Sequence, residues 1–285
     1  MQPDTPKKAT GFPARLHVLI ARNAPVGLVI RRGPAERVAT FSWNRRTDTI
    51  VLGQWMKGYI HERRADLSPD GKHWIYFAVN GRWSDEAQGA WTAVARAPWL
   101  KAETLLAKGD CWQGGGLFLD NRSFWVDGGD CHEPLQLSRD VKRKPFYEPS
   151  TRYGWESLTV YYDRLQRDGW TLVSLDSERA SDRITLFERR LPHGWTLQKL
   201  CHANASNKRP QGTGVYWDEH ALINETGDTL TFPKWRWADW VDDRLVYAEA
   251  GALYRRAIRN AKELAPPRLI HDFNAYTFEE RLAQY

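Results

Sequence analysis

Cysteine is scarce in this chain of 285 residues: Cys111, Cys131 and Cys201 are all there is. An odd number without short spacing excludes a disulfide framework as the basis of the fold. One bridge between Cys111 and Cys131 stays open beside the simpler reading of reduced, partly buried thiols. Long apolar runs are missing as well. No stretch approaches the roughly 20 apolar residues of a membrane span. The polar start, residues 1–11, lacks the apolar core of a secretory leader, so the expected compartment is the cytoplasm. There is no Gly-x-Ser-x-Gly elbow and no C-x-x-C pair. Gln113-Gly114-Gly115-Gly116 is not followed by Gly-Lys-Ser/Thr, so it is no phosphate-binding P-loop; it reads as a loop or a close approach of two backbones.

Aromatic residues are abundant, with 15 Trp. Large rings favour strands and wide sheet faces. Hydrophobic residues at 42% and charged residues at 27% are the balance of a folded domain. The net charge of +6 is unevenly spread. Residues 1–64 carry twelve Lys and Arg against four Asp and Glu, the excess lying in Arg31, Arg32, Arg37, Arg45, Arg46, Arg63 and Arg64. Such a face attracts an acidic partner or nucleic acid. Alternatively it is a solvated rim whose arginines pack on Trp rings.

Along the chain, residues 1–14 read as a flexible arm and 15–285 as one domain. Apolar runs of four to eight residues then alternate with turn residues: Leu16 to Ala21, Val26 to Ile30, Val38 to Trp43 and Thr49 to Leu52. The best hairpin is built on Ser68-Pro69-Asp70-Gly71, where Pro69 presets φ and Gly71 supplies a positive φ. The strand after it, His73 to Ala78, is apolar on both faces and needs cover on both. Stacked small sheets provide that cover. Similar units follow at Gly116–Val126, Leu158–Leu175, Ile184–Leu200, Gly214–Phe232 and Trp240–Arg255. Asp168-Gly169-Trp170-Thr171-Leu172 resembles His193-Gly194-Trp195-Thr196-Leu197, and Asp66 to Tyr76 resembles Asp239 to Tyr247. About twenty strands at four per blade predict an all-β propeller of four-stranded antiparallel sheets with about five blades. Six blades, or a sandwich plus a small domain, are the alternatives. Short helices are expected at Leu100 to Lys108, at Ala257 to Ala265 and at Thr277 to Leu282. Residues 142–152 read as a long loop.

Leu67-Ser68-Pro69-Asp70-Gly71-Lys72, followed by Trp74-Ile75-Tyr76-Phe77, resembles the WD40-like repeat of the TolB type. The likeness covers about a dozen residues. The whole chain also resembles a group of bacterial propeller-like proteins of this size. The TolB likeness implies a protein-binding propeller, and a periplasmic setting from which the missing leader departs. Propellers host unrelated activities, so the fold selects no chemistry.

Four chemistries deserve a weighing against plainer readings. Cys111, Cys131 and His132, with Asp110 or Asp130, could ligate a metal, but the spacing is long and no metal or other cofactor is expected. Asp66, Asp120, Asp127, Asp218 and Asp239 could converge as glycosidase carboxylates beside Trp-lined sugar sites, although Asp also belongs at turns for backbone reasons. Ser, His and Asp do not group into a nucleophilic set. Basic residues interleaved with Trp43, Trp55 and Tyr59 could form a single-strand nucleic-acid surface, yet no recognition motif is present. The expectation is therefore a non-enzymatic protein-binding or scaffold propeller, an accessory or neutralising subunit of a bacterial multiprotein system. Arg31, Arg32, Arg45 and Arg46 would steer an acidic protein partner, and Trp43 and Trp55 would anchor it. A carbohydrate-active enzyme is the main alternative, and a single-strand nucleic-acid surface the second.

Overall fold

Short apolar runs fold as strands, and the turn residues between them reverse the chain. The structure, a computed structural model, describes residues 12–33, 36–149, 158–175, 182–204 and 213–285. The first sheet holds β1 (Arg15–Ile20), β2 (Val26–Arg32), β3 (Arg37–Asn44) and β4 (Thr49–Lys57) in chain order. The second holds β5 (Tyr59–Ile60) and β6 (Asp66–Leu67), both on one edge of β7 (His73–Val79), then β8 (Ala90–Arg96) and β9 (Ala102–Ala107). The third begins with β10 (Gly116–Phe118) and β11 (Ser123–Val126). Next in sequence, β12 (Glu133–Gln136) returns to pair with β9, and β13 (Lys142–Arg143) joins β11. A helix, α1 (Leu158–Arg167), precedes the fourth sheet: β14 (Thr171–Leu175), β15 (Asp182–Arg190), β16 (Thr196–Asn204), β17 (Tyr216–Ile223) and β18 (Thr229–Phe232). The fifth is β19 (Trp235–Val241), β20 (Arg244–Glu249), β21 (Ala252–Arg256) and β22 (Arg268–Asp272). All pairings are antiparallel except β11 with β13. The chain is all-β and propeller-like, with five sheets.

The cores lie between sheets, as stacked blades require. Leu28, Ile30, Trp74 and Tyr76 join the first sheet to the second; Ile75, Val94, Phe118 and Phe124 join the second to the third. Val29, Phe41 and Trp43 pack on Trp237, Val246 and Phe273, so the first sheet meets the fifth and the ring closes. Between the third and fourth sheets stands α1, whose Leu158, Tyr161, Tyr162 and Leu165 lie in one core with Phe187, Trp195 and Trp235. The strand after the Ser68 turn is buried on both faces, Trp74 and Tyr76 toward the first sheet and Ile75 toward the third.

The Ser68-Pro69-Asp70-Gly71 turn ties three sheets together. Ser68 Oγ lies 2.7 Å from Asp70 Oδ1 and accepts the His73 N–H, which fixes the reversal. Outside the turn, Asn23 N–H donates to the Pro69 carbonyl at 2.8 Å, and Asp70 N–H donates to Asn121 Oδ1 at 2.9 Å. Those partners sit in the turns that follow β1 and β10. Gly71 has φ +72°, and a Cβ there would lie 2.8 Å from Val26 Cβ.

Several local expectations are corrected. Leu158 to Tyr162 is not a strand: Leu158, Tyr161, Tyr162 and Leu165 recur at i, i+3, i+4 and i+7, and packing on one face selects the helix. It stops at Gly169, with φ +96° and the Trp170 N–H bonded to the Leu165 carbonyl. Leu100 to Lys108 contains β9 instead of a helix, because β8 and β12 offer ladders on both sides. Ala257 to Ala265 is a loop closed by one bridge, Ile258 with Leu264. Thr277 to Leu282 is irregular, and Arg281 bonds the Leu52 carbonyl and receives Gln54. Cys111 and Cys131 are not bridged by a disulfide and are exposed, and Cys201 is buried. Most of the expected N-terminal arm and residues 150–152 of the expected loop lie outside the described residues; Ala14 is buried, its N–H on Asn274 Oδ1. No helix among the described residues is long and apolar enough to cross a membrane.

Gly71→Ala should lower the unfolding free energy by roughly 1–3 kcal/mol through φ strain and the clash with Val26. Urea denaturation checks this; unchanged stability would mean that the turn yields without strain.

Candidate functional site

The axis of the ring is occupied by α1. Its side chains reach all five sheets. Arg164 donates to the Ala65 carbonyl and to the His17 ring, Arg167 grips Asp66, and Tyr161 Oη lies 2.6 Å from Asp218 Oδ2. Both α1 and β1 run from one mouth of the axial channel to the other. Leu158 and Arg15 stand at one mouth, Arg167 and Arg22 at the other.

The Arg22 mouth opens into a cavity of about 490 Å³. Its charges are mostly matched. Arg167 meets Asp66 at 2.6 Å and Asp168 at 2.8 Å, Arg189 meets Asp239 at 2.6 Å, and Arg45 meets Asp242 at 2.9 Å. Lys199 is buried, its ammonium over the Tyr161 and Trp170 rings and 3.3 Å from the Ala238 carbonyl. Such rings stabilise a desolvated cation.

The Arg15 mouth leads to a cavity of about 320 Å³ that is lined, among the described residues, by five arginines against two carboxylates. Both carboxylates are engaged. Arg32 Nη1 donates to the two oxygens of Glu62 at 2.7 and 2.6 Å, and Arg63 donates to Asp218 at 3.0 Å. Burial pushes both acids up, but the arginines outweigh it: Glu62 falls to about 2, and Asp218 lies well below the ordinary carboxylate range. Arg64 is spent on the carbonyls of Cys111 and Gln113. Arg15 and Arg236 have neither an ion pair nor a side-chain hydrogen bond among the described residues. Burial lowers the pKa of each.

The sequence-predicted residues divide. Of the expected partner contacts, Arg31, Arg45 and Trp43 are corrected to interior residues. Arg31 bonds the carbonyls of Phe273, Gly33 and Tyr276, and Arg45 bonds Asp242, Ala21 and Ala24. Trp43 faces Gly27 in the ladder and lies over it without exposure. Trp55 is half-buried beneath Arg31, at 5.1 Å. Arg46 is exposed in a turn, Arg45 lines the Arg22 mouth, and Arg32 lines the Arg15 mouth. Of the five aspartates, Asp66, Asp218 and Asp239 do come to the axis, each held by an arginine. Asp120 caps an exposed turn, and Asp127 lines neither mouth. The Gly114–Gly116 run is a close approach, since a Cβ on Gly115 would strike the Arg64 carbonyl. No group of three His, Cys, Asp or Glu among the described residues could hold a metal. Sequence reasoning missed Arg15, Arg236, Arg164 and Arg167; the first two lie on β1 and β19, strands that only the closed ring makes neighbours.

Two outcomes follow from these charges. Arg167→Met leaves buried Asp66 without its main counter-charge and should cost roughly 3–5 kcal/mol in urea unfolding. Adding Asp66→Asn to Arg167→Met should recover part of that loss; a purely additive pair would refute the coupling. The second concerns pH. Burial depresses His61 and His132 to about 4, His220 to about 3, and His17 well below 6.5. The unfolded chain then binds more protons than the folded one in that window, so stability present at pH 7 is lost as pH falls from about 6.5 toward 4. Asp127 acts oppositely. Burial raises it to about 6, so its share is lost as pH rises from about 4 through 6. Asp127→Asn should therefore raise stability at pH 7 and steepen the loss on acidification; a parallel profile would contradict that placement.

No family model matches the chain, and no curated protein matches it. Among solved structures it is similar to the Kuenenia stuttgartiensis hydrazine synthase, with 9% identity, 90% of this chain and 80% of that chain covered, and a TM-score of 0.32.

Proposed function

We propose that this chain is a non-enzymatic binding module, and that the cationic Arg15 mouth receives an acidic segment of a partner protein. The observation that carries the reading is the filled axis. With α1 in the channel, each carboxylate at the two mouths is held by an arginine among the described residues, including Asp168, whose pKa burial raises while Arg167 binds it. Glycoside hydrolysis needs one protonated and one free carboxylate facing a common cavity. What the channel leaves uncommitted is positive charge, on Arg15 and Arg236. Complementary charge steers encounter and sets orientation. The rim is rigid, because its strands belong to a closed ring, and rigid rims with variable loops make good binding platforms.

A stoichiometric complex should be recoverable from the source cells and should weaken as ionic strength rises. Arg15→Glu with Arg236→Glu should abolish it. Failure to find such a partner, or a complex that ignores both salt and the charge reversal, would refute the reading.

A further inference from the structure

We infer that the Arg15 mouth contains a seat for one oxyanion group, a carboxylate or a phosphate monoester, held between Arg15 and Arg236. The inference rests on the proposed acidic partner only for the choice of mouth.

The first observation is a charge conflict built into the sheet. Arg15 stands directly opposite Arg32 in the β1–β2 register. Like charges placed directly across strands destabilise a sheet. The neighbouring Glu62 accepts both its hydrogen bonds from Arg32 and reaches Arg15 only through its charge. Arg236, on β19, enters the same pocket from the fifth sheet and adds to the repulsion on Arg15. A guanidinium keeps its charge under all ordinary conditions. Two guanidinium groups without an ion pair among the described residues, half removed from water, therefore face one small cavity.

The second observation is a further donor without a partner among the described residues. Trp217 lines the pocket, and its buried Nε1–H meets no acceptor among the described residues. An indole N–H can only donate. An anion would satisfy all of these groups at once. Planar guanidinium forks match the two oxygens of a carboxylate or phosphate. Leu16, Leu158 and Val215 give the cavity an apolar wall, so the oxyanion can arrive on a short carbon body.

The experiment uses the full purified chain and calorimetric titration at constant ionic strength, with sodium phosphate, sodium acetate and an acidic hexapeptide of Asp and Glu as separate probes. At least one should bind with one-to-one stoichiometry. Arg15→Gln with Arg236→Gln should weaken that probe roughly tenfold or more. Arg122→Gln with Arg139→Gln, two exposed arginines far from the mouth, should leave it unchanged. Without any probe, the Arg15→Gln protein should melt no lower than the parent, because the conflict with Arg32 is gone; a merely structural arginine would lower the melting temperature. Tighter phosphate than peptide assigns the seat to a free phosphorylated ligand, and the reverse order assigns it to a protein side chain; both orders support the seat. No binding of any probe at 10 mM, or equal affinity in the Arg15/Arg236 variant, overturns it. A partner complex lost on charge reversal while no probe binds refutes the seat alone. A seated probe without any partner complex refutes the partner reading alone.

Discussion

Arg167 on α1 closing on Asp66 of the second sheet is the contact around which the axis is organised. Five sheets arranged in a ring leave a channel, and the inner edges of those sheets carry polar groups that cannot remain buried and unpaired. Here the channel is filled by a helix instead of water. The helix can stay there only because its own charges answer those of the strands. Arg167 meets Asp66, Arg164 meets the carbonyl after the Glu62–Arg64 turn, and Tyr161 meets Asp218. Its Tyr162 and Leu165 join the apolar core that the fourth and fifth sheets share. One ten-residue segment thus closes the ring and neutralises its centre.

This arrangement explains why several arginines of the basic first quarter of the chain are interior residues. Arginines at 31, 45, 63 and 64 serve backbone carbonyls and buried acids. A guanidinium suits that task, because five donors on one rigid plane can satisfy several carbonyls at once. The solvated-rim alternative fails for the same residues. Arg31 does lie over Trp55, as that reading expected, but both belong to the interface with the C-terminal segment around Phe273 and Tyr276.

Much of the fold was legible from local signals. Hairpin turns such as Ser68–Gly71 and the double burial of the following strand are properties of a few adjacent residues, and both stand. The matching Gly-Trp-Thr-Leu segments are also real: Gly169 and Gly194 both adopt positive φ, and Trp170 and Trp195 share one core at the start of β14 and β16. The errors fall where context overrode propensity. Leu158-Thr159-Val160-Tyr161-Tyr162 is rich in strand formers, yet its burial follows a helical period. Ala102 to Ala107 is rich in helix formers, yet two open ladders claimed it. The site was less legible than the fold. Asp66, Asp218 and Asp239 were named for the axis, but the arginines that neutralise them come from α1, β15 and the turn after β5, and sequence spacing does not bring those together.

The uneven treatment of the two mouths is the remaining physical question, and the ladder gives its reason. At the Arg22 mouth, Arg167, Arg189 and Arg45 each meet an aspartate, and Arg22, Arg164 and Lys199 are held by backbone carbonyls, a histidine ring or aromatic rings. At the Arg15 mouth, β1 and β2 bring two arginines into one register pair, and β19 adds a third. Shifting β1 by one residue would relieve the pair but would turn Leu16 and Val18 out of the core they share with the fifth sheet. The apolar register therefore holds the repulsion in place. A fold that keeps such a conflict at an open cavity leaves two guanidinium groups there with neither an ion pair nor a side-chain hydrogen bond among the described residues. Those two groups separate this mouth from the other, and they make charge, more than shape, the property by which a ligand would be selected there.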